Sequence, residues 1–118
     1  MLFNMTQHTK TPDQAGVLEP SQEVKETIKS LLTFTELPTL VEMNKRAIAL
    51  LKLIPKGYNG ILIGGASFFM PVLHRQLVLH GYYPHYAFSK RESKDIPQKD
   101  GSVKKVSTFK LLGYVTYN

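Results

Sequence analysis

At 118 residues, with 42% apolar and 20% charged residues, the chain has the size and composition of one globular domain, not of a disordered or fibrous segment. It contains no cysteine, which excludes disulfides, thiolate metal sites and cysteine nucleophiles and fits a reducing compartment. No apolar run approaches the ~20 residues of a membrane span, and Met1-Leu2-Phe3-Asn4 lacks the basic region and apolar core of a signal peptide. A soluble cytoplasmic protein with no membrane partner is therefore expected.

Met1 to Met5 reads as a first strand, and Thr6-Gln7-His8-Thr9 follows as a polar loop at its C-terminal end. Thr11-Pro12-Asp13-Gln14 has the form of a helix start, with Thr11 as cap and Pro12 at the first helical position, which Gly16 and Pro20 hold to about a turn. Ser21 caps a longer amphipathic helix to about Leu32, with Val24, Ile28, Leu31 and Leu32 on one face. Thr39-Leu40-Val41-Glu42 matches a capping box and opens a second helix to about Ile54, with Leu40, Met43, Ala47, Leu50, Leu51 and Ile54 as its core positions. Pro55-Lys56-Gly57 ends it.

Gly60 to Ile63 then reads as a buried strand that breaks at Gly64-Gly65-Ala66-Ser67 into a helix from about Phe68 to His80, with Ser67 as its cap and Gly81 as a left-handed closure. A tight turn at a helix N-terminus offers unpaired N–H groups and the positive end of the helix dipole to an anion. Close packing of strand on helix is the alternative reason for the same glycines, with no ligand involved. Tyr82 to Ser89 forms a third strand, which Pro84 starts late or places near an edge. Asp100-Gly101 is a turn signal between Lys94 to Gln98 and Val103 to Tyr117, so the last third is a long antiparallel hairpin. The order of elements gives one α/β domain over residues 1–118, a parallel βαβ core with an antiparallel C-terminal extension.

Of the net charge of +6, +4 falls between Ser89 and Lys110, where Lys90, Arg91, Lys94, Lys99, Lys104, Lys105 and Lys110 face Glu92, Asp95 and Asp100. Such a patch draws polyanions, and lysines that merely guard the edges of a hairpin give the same composition.

In an open α/β sheet the loops after parallel strands converge on one crevice. Three loops meet that description: Thr6-Gln7-His8-Thr9, Gly64-Gly65-Ala66-Ser67 and Ser89-Lys90-Arg91-Glu92. Together they supply backbone donors, hydroxyls, an imidazole and two cations, the inventory for holding a phosphodiester. His74, His80 and His85 are assigned to helix or strand surfaces and core. The chain has no Walker A lysine, no full GxGxxG, no HExxH and no carboxylate cluster for two Mg²⁺ ions, so no cofactor and no metal is expected. In an enzyme of this kind a ribose hydroxyl is the nucleophile, His8 assists proton transfer, and Arg91 or Lys90 with the Gly65 to Ser67 amides stabilises the pentavalent phosphate.

Thr6-Gln7-His8-Thr9-Lys10-Thr11-Pro12-Asp13-Gln14, Tyr86-Ala87-Phe88-Ser89-Lys90-Arg91-Glu92-Ser93, Asp100-Gly101-Ser102-Val103-Lys104-Lys105 and Phe109-Lys110 resemble, in order and spacing, the segments of small CRISPR-associated proteins of the Csx type. The resemblance implies a Rossmann-like three-layer fold related to the sensor domains of type III CRISPR systems, and a homodimer with ligand across the two-fold axis. It also implies a ring nuclease that binds and opens cyclic oligoadenylate without metal, in antiviral signalling. Its site residues map to Thr6, Gln7 and His8, to Gly64, Gly65 and Ser67, and to Ser89, Lys90 and Arg91, with His8, Lys90 and Arg91 as the catalytic set and Ala66 completing the turn. The apolar Phe68-Phe69 after the turn departs from a polyanion pocket. Two other classes stay open: a non-catalytic nucleotide- or RNA-binding module, and an oligomeric interaction protein.

Overall fold

The computed structural model describes residues 1–117. In chain order the elements are β1 (Leu2–Asn4), β2 (Val17–Leu18), α1 (Gln22–Leu32), α2 (Leu40–Leu51), β3 (Gly60–Leu62), α3 (Met70–Leu79), β4 (Tyr83–Pro97) and β5 (Val103–Thr116). One mixed sheet runs in the order β2-β1-β3-β4-β5, parallel from β2 to β4 and antiparallel between β4 and β5.

Local chemistry sets the helix starts. The Ser21 hydroxyl accepts from the Val24 N–H at 3.4 Å, and Thr39 accepts from the Glu42 N–H at 3.1 Å. The capping box is only half formed, because the Glu42 carboxylate turns away to Arg46 Nε at 3.0 Å. Leu40, expected in the core, is exposed, while Ala47, Leu50 and Leu51 are buried.

Three local expectations are corrected. Thr11 to Gln14 is a turn closed by the Gln14 N–H on the Thr11 carbonyl at 2.9 Å, with no helix, and it leads into the two-residue β2. Ser67 does not cap α3: the cap position is Phe69, and the Ala66 carbonyl accepts from Phe69 and Met70. Ser89-Lys90-Arg91-Glu92 is not a loop, because the third strand and the first strand of the hairpin are one continuous β4.

Phe3 and Met5 of the β1 segment and Ile61 and Ile63 of the β3 segment alternate onto one face, where they join Ile28, Leu32, Ala47, Leu50, Leu73 and Leu77 in a single core cluster. All three helices thus cover one face, and the expected three layers reduce to two. The reason lies in the first crossover: residues 5–16, interrupted by Pro12 and ended by Gly16, form an irregular loop, so nothing helical covers the opposite face there.

Beyond a bulge at Phe88/Ser89, where Leu112 has no opposite residue, β4 and β5 continue as a two-stranded ribbon that leaves the body. The radius of gyration is 17.1 Å, against about 13–14 Å for a compact chain of this length. The longest extent is 56 Å.

Candidate functional site

β1 lies between β2 and β3, so the chain leaves β1 on one side and returns on the other, which is the switch point where α/β sheets open a crevice. The loops after β1 and β3 meet there. A Cβ placed on Gly64 would lie 3.6 Å from the Thr6 methyl group.

A buried polar network fixes the first loop. Asn4 on β1 donates to the His8 carbonyl at 2.9 Å and to Glu19 at 2.6 Å, while its own oxygen accepts from the Thr6 N–H at 3.0 Å and the Thr6 hydroxyl at 2.7 Å. From α1, the buried Lys25 ammonium donates to the carbonyls of Thr6 at 2.9 Å and His8 at 2.7 Å and sits 3.4 Å from Glu19. Burial lowers the pKa of Lys25, and Glu19 opposes the shift. With the backbone held from two sides, the His8 imidazole stays exposed and makes no side-chain hydrogen bond among the described residues. Gln7 beside it is half-buried.

The second loop presents bare backbone. The N–H groups of Gly64, Gly65, Ala66, Ser67 and Phe68 donate to no protein acceptor among the described residues. A Cβ on Gly65 would meet Met70 at 3.4 Å and Leu32 at 3.8 Å, ordinary contacts, so packing demands glycine at neither position, although the φ of +156° at Gly65 strains any side chain there. Both leave the turn open to close approach.

An open cleft of about 670 Å³ runs from Gly64, Gly65 and Ser67 along α3 to His74 and Arg75 and across to Tyr86 and Tyr117. The His74 ring stacks on Tyr86 at 5.9 Å between centroids and 15° between planes, with Nδ1 2.9 Å from the Tyr86 hydroxyl. Tyr117 stands edge-on to both rings, at 5.2 and 6.0 Å. Burial, with a smaller contribution from Tyr117, raises the Tyr86 pKa, so this phenol keeps its proton at neutral pH. Arg75 is exposed on α3 at the cleft, and its guanidinium has no hydrogen bond or ion pair among the described residues. The cleft therefore offers amides at the glycine turn and, further along α3, a free cation beside an aromatic wall.

Thr6 is thus brought beside Gly64, and Gln7 and His8 follow it on the first loop outside the cleft lining, whereas Ser89, Lys90 and Arg91 stand on the ribbon from the bulge outward. There Arg91 donates to the Ser107 hydroxyl at 3.0 Å. The sequence reading missed His74, Arg75, Tyr86 and Tyr117 as one group, and Asn4, Lys25 and Glu19 as the brace of the first loop. For Arg75 a signal existed, a basic residue within two turns of a glycine-rich helix start. Among the described residues no group of three His, Asp or Glu is placed to hold a metal, and no helix is long and apolar enough to cross a membrane.

Fold and cleft together define an α/β protein with a mixed five-stranded sheet, a C-terminal antiparallel pair and an open cleft at the ends of its parallel strands. The chain belongs to the uncharacterized protein MJ1673 family, whose model matches residues 1–115. No curated protein and no solved structure matches the chain.

Proposed function

We propose that the chain uses its sheet edge in the Rossmann-like manner to bind a nucleotide. The phosphate lies on the Gly64 to Phe68 amides within reach of Arg75, and the base lies against Tyr86, Tyr117 and His74. The observation that carries this reading is the junction, in one cleft, of the unengaged N–H groups of Gly64, Gly65 and Ser67 with an unpaired guanidinium and three rings. Amides suit a phosphate at a helix start, and stacked rings suit a base of any sequence.

Cyclic oligoadenylate is the ligand named by the likeness to Csx-type proteins, and metal-independent ring opening is the matching activity. In that step a ribose 2′-oxygen attacks the adjacent phosphorus, the 5′-oxygen of the next nucleotide leaves and takes up a proton, and a 2′,3′-cyclic phosphate remains. His8 removes the hydroxyl proton, and Arg75 replaces Lys90 and Arg91 as the cation over the pentavalent phosphorus. A homodimer with the ring across its two-fold axis completes the proposal.

The test is incubation of the protein with cyclic tetra- and hexa-adenylate in chelator, with separation of products and a parallel melting curve. Linear product supports the nuclease. A ligand recovered intact that still stabilises at 100 times its Kd, by about 2.7 kcal/mol, supports binding without catalysis. No product and no stabilisation with either ring or with simple nucleotides overturns both.

A further inference from the structure

The pairing register of the ribbon sorts its charges by face. Opposed residues of an antiparallel pair share a face, so Lys90 with Lys110, Glu92 with Thr108, Lys94 with Val106 and Ile96 with Lys104 form one side. The other side pairs Arg91 with Phe109, Ser93 with Ser107, Asp95 with Lys105 and Pro97 with Val103. Four lysines against one glutamate give the first side +3 of the +4 carried by Ser89 to Lys110, while Arg91, Asp95 and Lys105 leave the second side at +1. Lysines that only discourage edge pairing have no reason to choose a face.

Two further features mark the lysine side. Lys90 and Lys110 oppose each other directly, an unfavourable pairing that an anion relieves. None of the four lysines makes a hydrogen bond or ion pair among the described residues. A two-stranded ribbon clear of the core is also only marginally stable in water, so binding energy along its length adds order where the fold supplies little.

We propose that the lysine face of the β4–β5 ribbon docks into the major groove of duplex DNA, contacting phosphates and not reading sequence. The B-form major groove, about 12 Å wide, admits a two-stranded ribbon. The deep, narrow groove of A-form RNA does not. From Lys90 to Ile96 the face is about 20 Å long at ~3.3 Å per residue, enough for about six base pairs at ~3.4 Å each. The lysines are point charges without bidentate geometry, which suits backbone contact and not base readout.

The experiment is fluorescence anisotropy of the full chain with 20-base-pair DNA duplexes of two unrelated sequences, and with the corresponding RNA duplex, from 50 to 200 mM salt. Four phosphate contacts predict an affinity equal for both DNA sequences that falls about 100-fold over this range. Lys90→Gln with Lys110→Gln lowers the affinity at least tenfold and flattens the logarithmic salt slope by about 1.8. The charge-matched Arg91→Gln with Lys105→Gln leaves the slope as it was, and so does Arg75→Ala in the cleft. Lys94→Gln with Lys104→Gln serves as a second variant on the same face should the first lower the melting temperature. Equal losses from both faces, equal affinity for the RNA duplex, or no DNA binding at 50 mM salt and micromolar protein overturns the proposal.

Discussion

His74 Nδ1 and the Tyr86 hydroxyl lie 2.9 Å apart, joining α3 to β4 across the mouth of the cleft. Residues twelve apart in sequence thereby hold two stacked rings at a fixed spacing from the glycine turn. Removing the hydroxyl with Tyr86→Phe keeps the ring and loses one hydrogen bond. The expected cost is about 1 kcal/mol of stability, with base stacking retained, and urea denaturation beside ligand titration separates the two effects.

The same phenol sets a pH limit. Its pKa is raised above 10.0 in the folded chain, so above pH 10.0 the folded state binds more protons than the unfolded one and stability falls as pH rises. Below that pH its contribution is fully present. Phenolate absorbance should show a component titrating above pH 10.0, and that component should vanish in Tyr86→Phe.

Lys25 predicts the opposite slope. Its pKa is lowered from 10.5, so between the lowered value and 10.5 the unfolded state binds more protons, and stability rises with pH through that window. Lys25→Met removes this rise. It also strands the Thr6 carbonyl and takes one donor from the His8 carbonyl and from Glu19, which keep Asn4, at a cost of about 1.5–3 kcal/mol. Urea midpoints measured from neutral pH upward for both proteins check both statements.

Ser67 and Thr39 separate a cap from its likeness. Thr39→Ala loses the bond from the Glu42 N–H and should cost about 1 kcal/mol. Ser67→Ala, at an exposed position with no cap bond, should change stability by less than about 0.5 kcal/mol. A full cap-sized loss at Ser67 in thermal denaturation would contradict the placement of the α3 start at Phe69 and Met70.

What the sequence disclosed was governed by local chemistry. The caps at Ser21 and Thr39, the left-handed Gly81 and the Asp100-Gly101 turn each depend on a few neighbouring residues, and each stands where expected. The merging of two expected strands into β4 was hidden because Ser89-Lys90-Arg91-Glu92 is polar, and polarity marks a loop and an exposed ribbon alike. Ser67 looked like a cap because the helix reads from about Phe68, two residues before its actual start at Met70. The cleft was half legible: the glycine turn follows from composition, whereas the partnership of Arg75 with Tyr86 and Tyr117 exists only once α3, β4 and β5 are packed. The division of charge between ribbon faces depends on the register that the Phe88/Ser89 bulge resets.

The most direct test of the nucleotide-binding cleft is calorimetric titration of the wild-type chain, Arg75→Ala and Arg91→Ala with cyclic tetra-adenylate, cyclic hexa-adenylate and ATP in chelator. The account predicts saturable binding of at least one of them to the wild type, weakened at least tenfold by Arg75→Ala and unchanged by Arg91→Ala. Absence of binding to all three, or binding that Arg91→Ala abolishes and Arg75→Ala leaves intact, would contradict it.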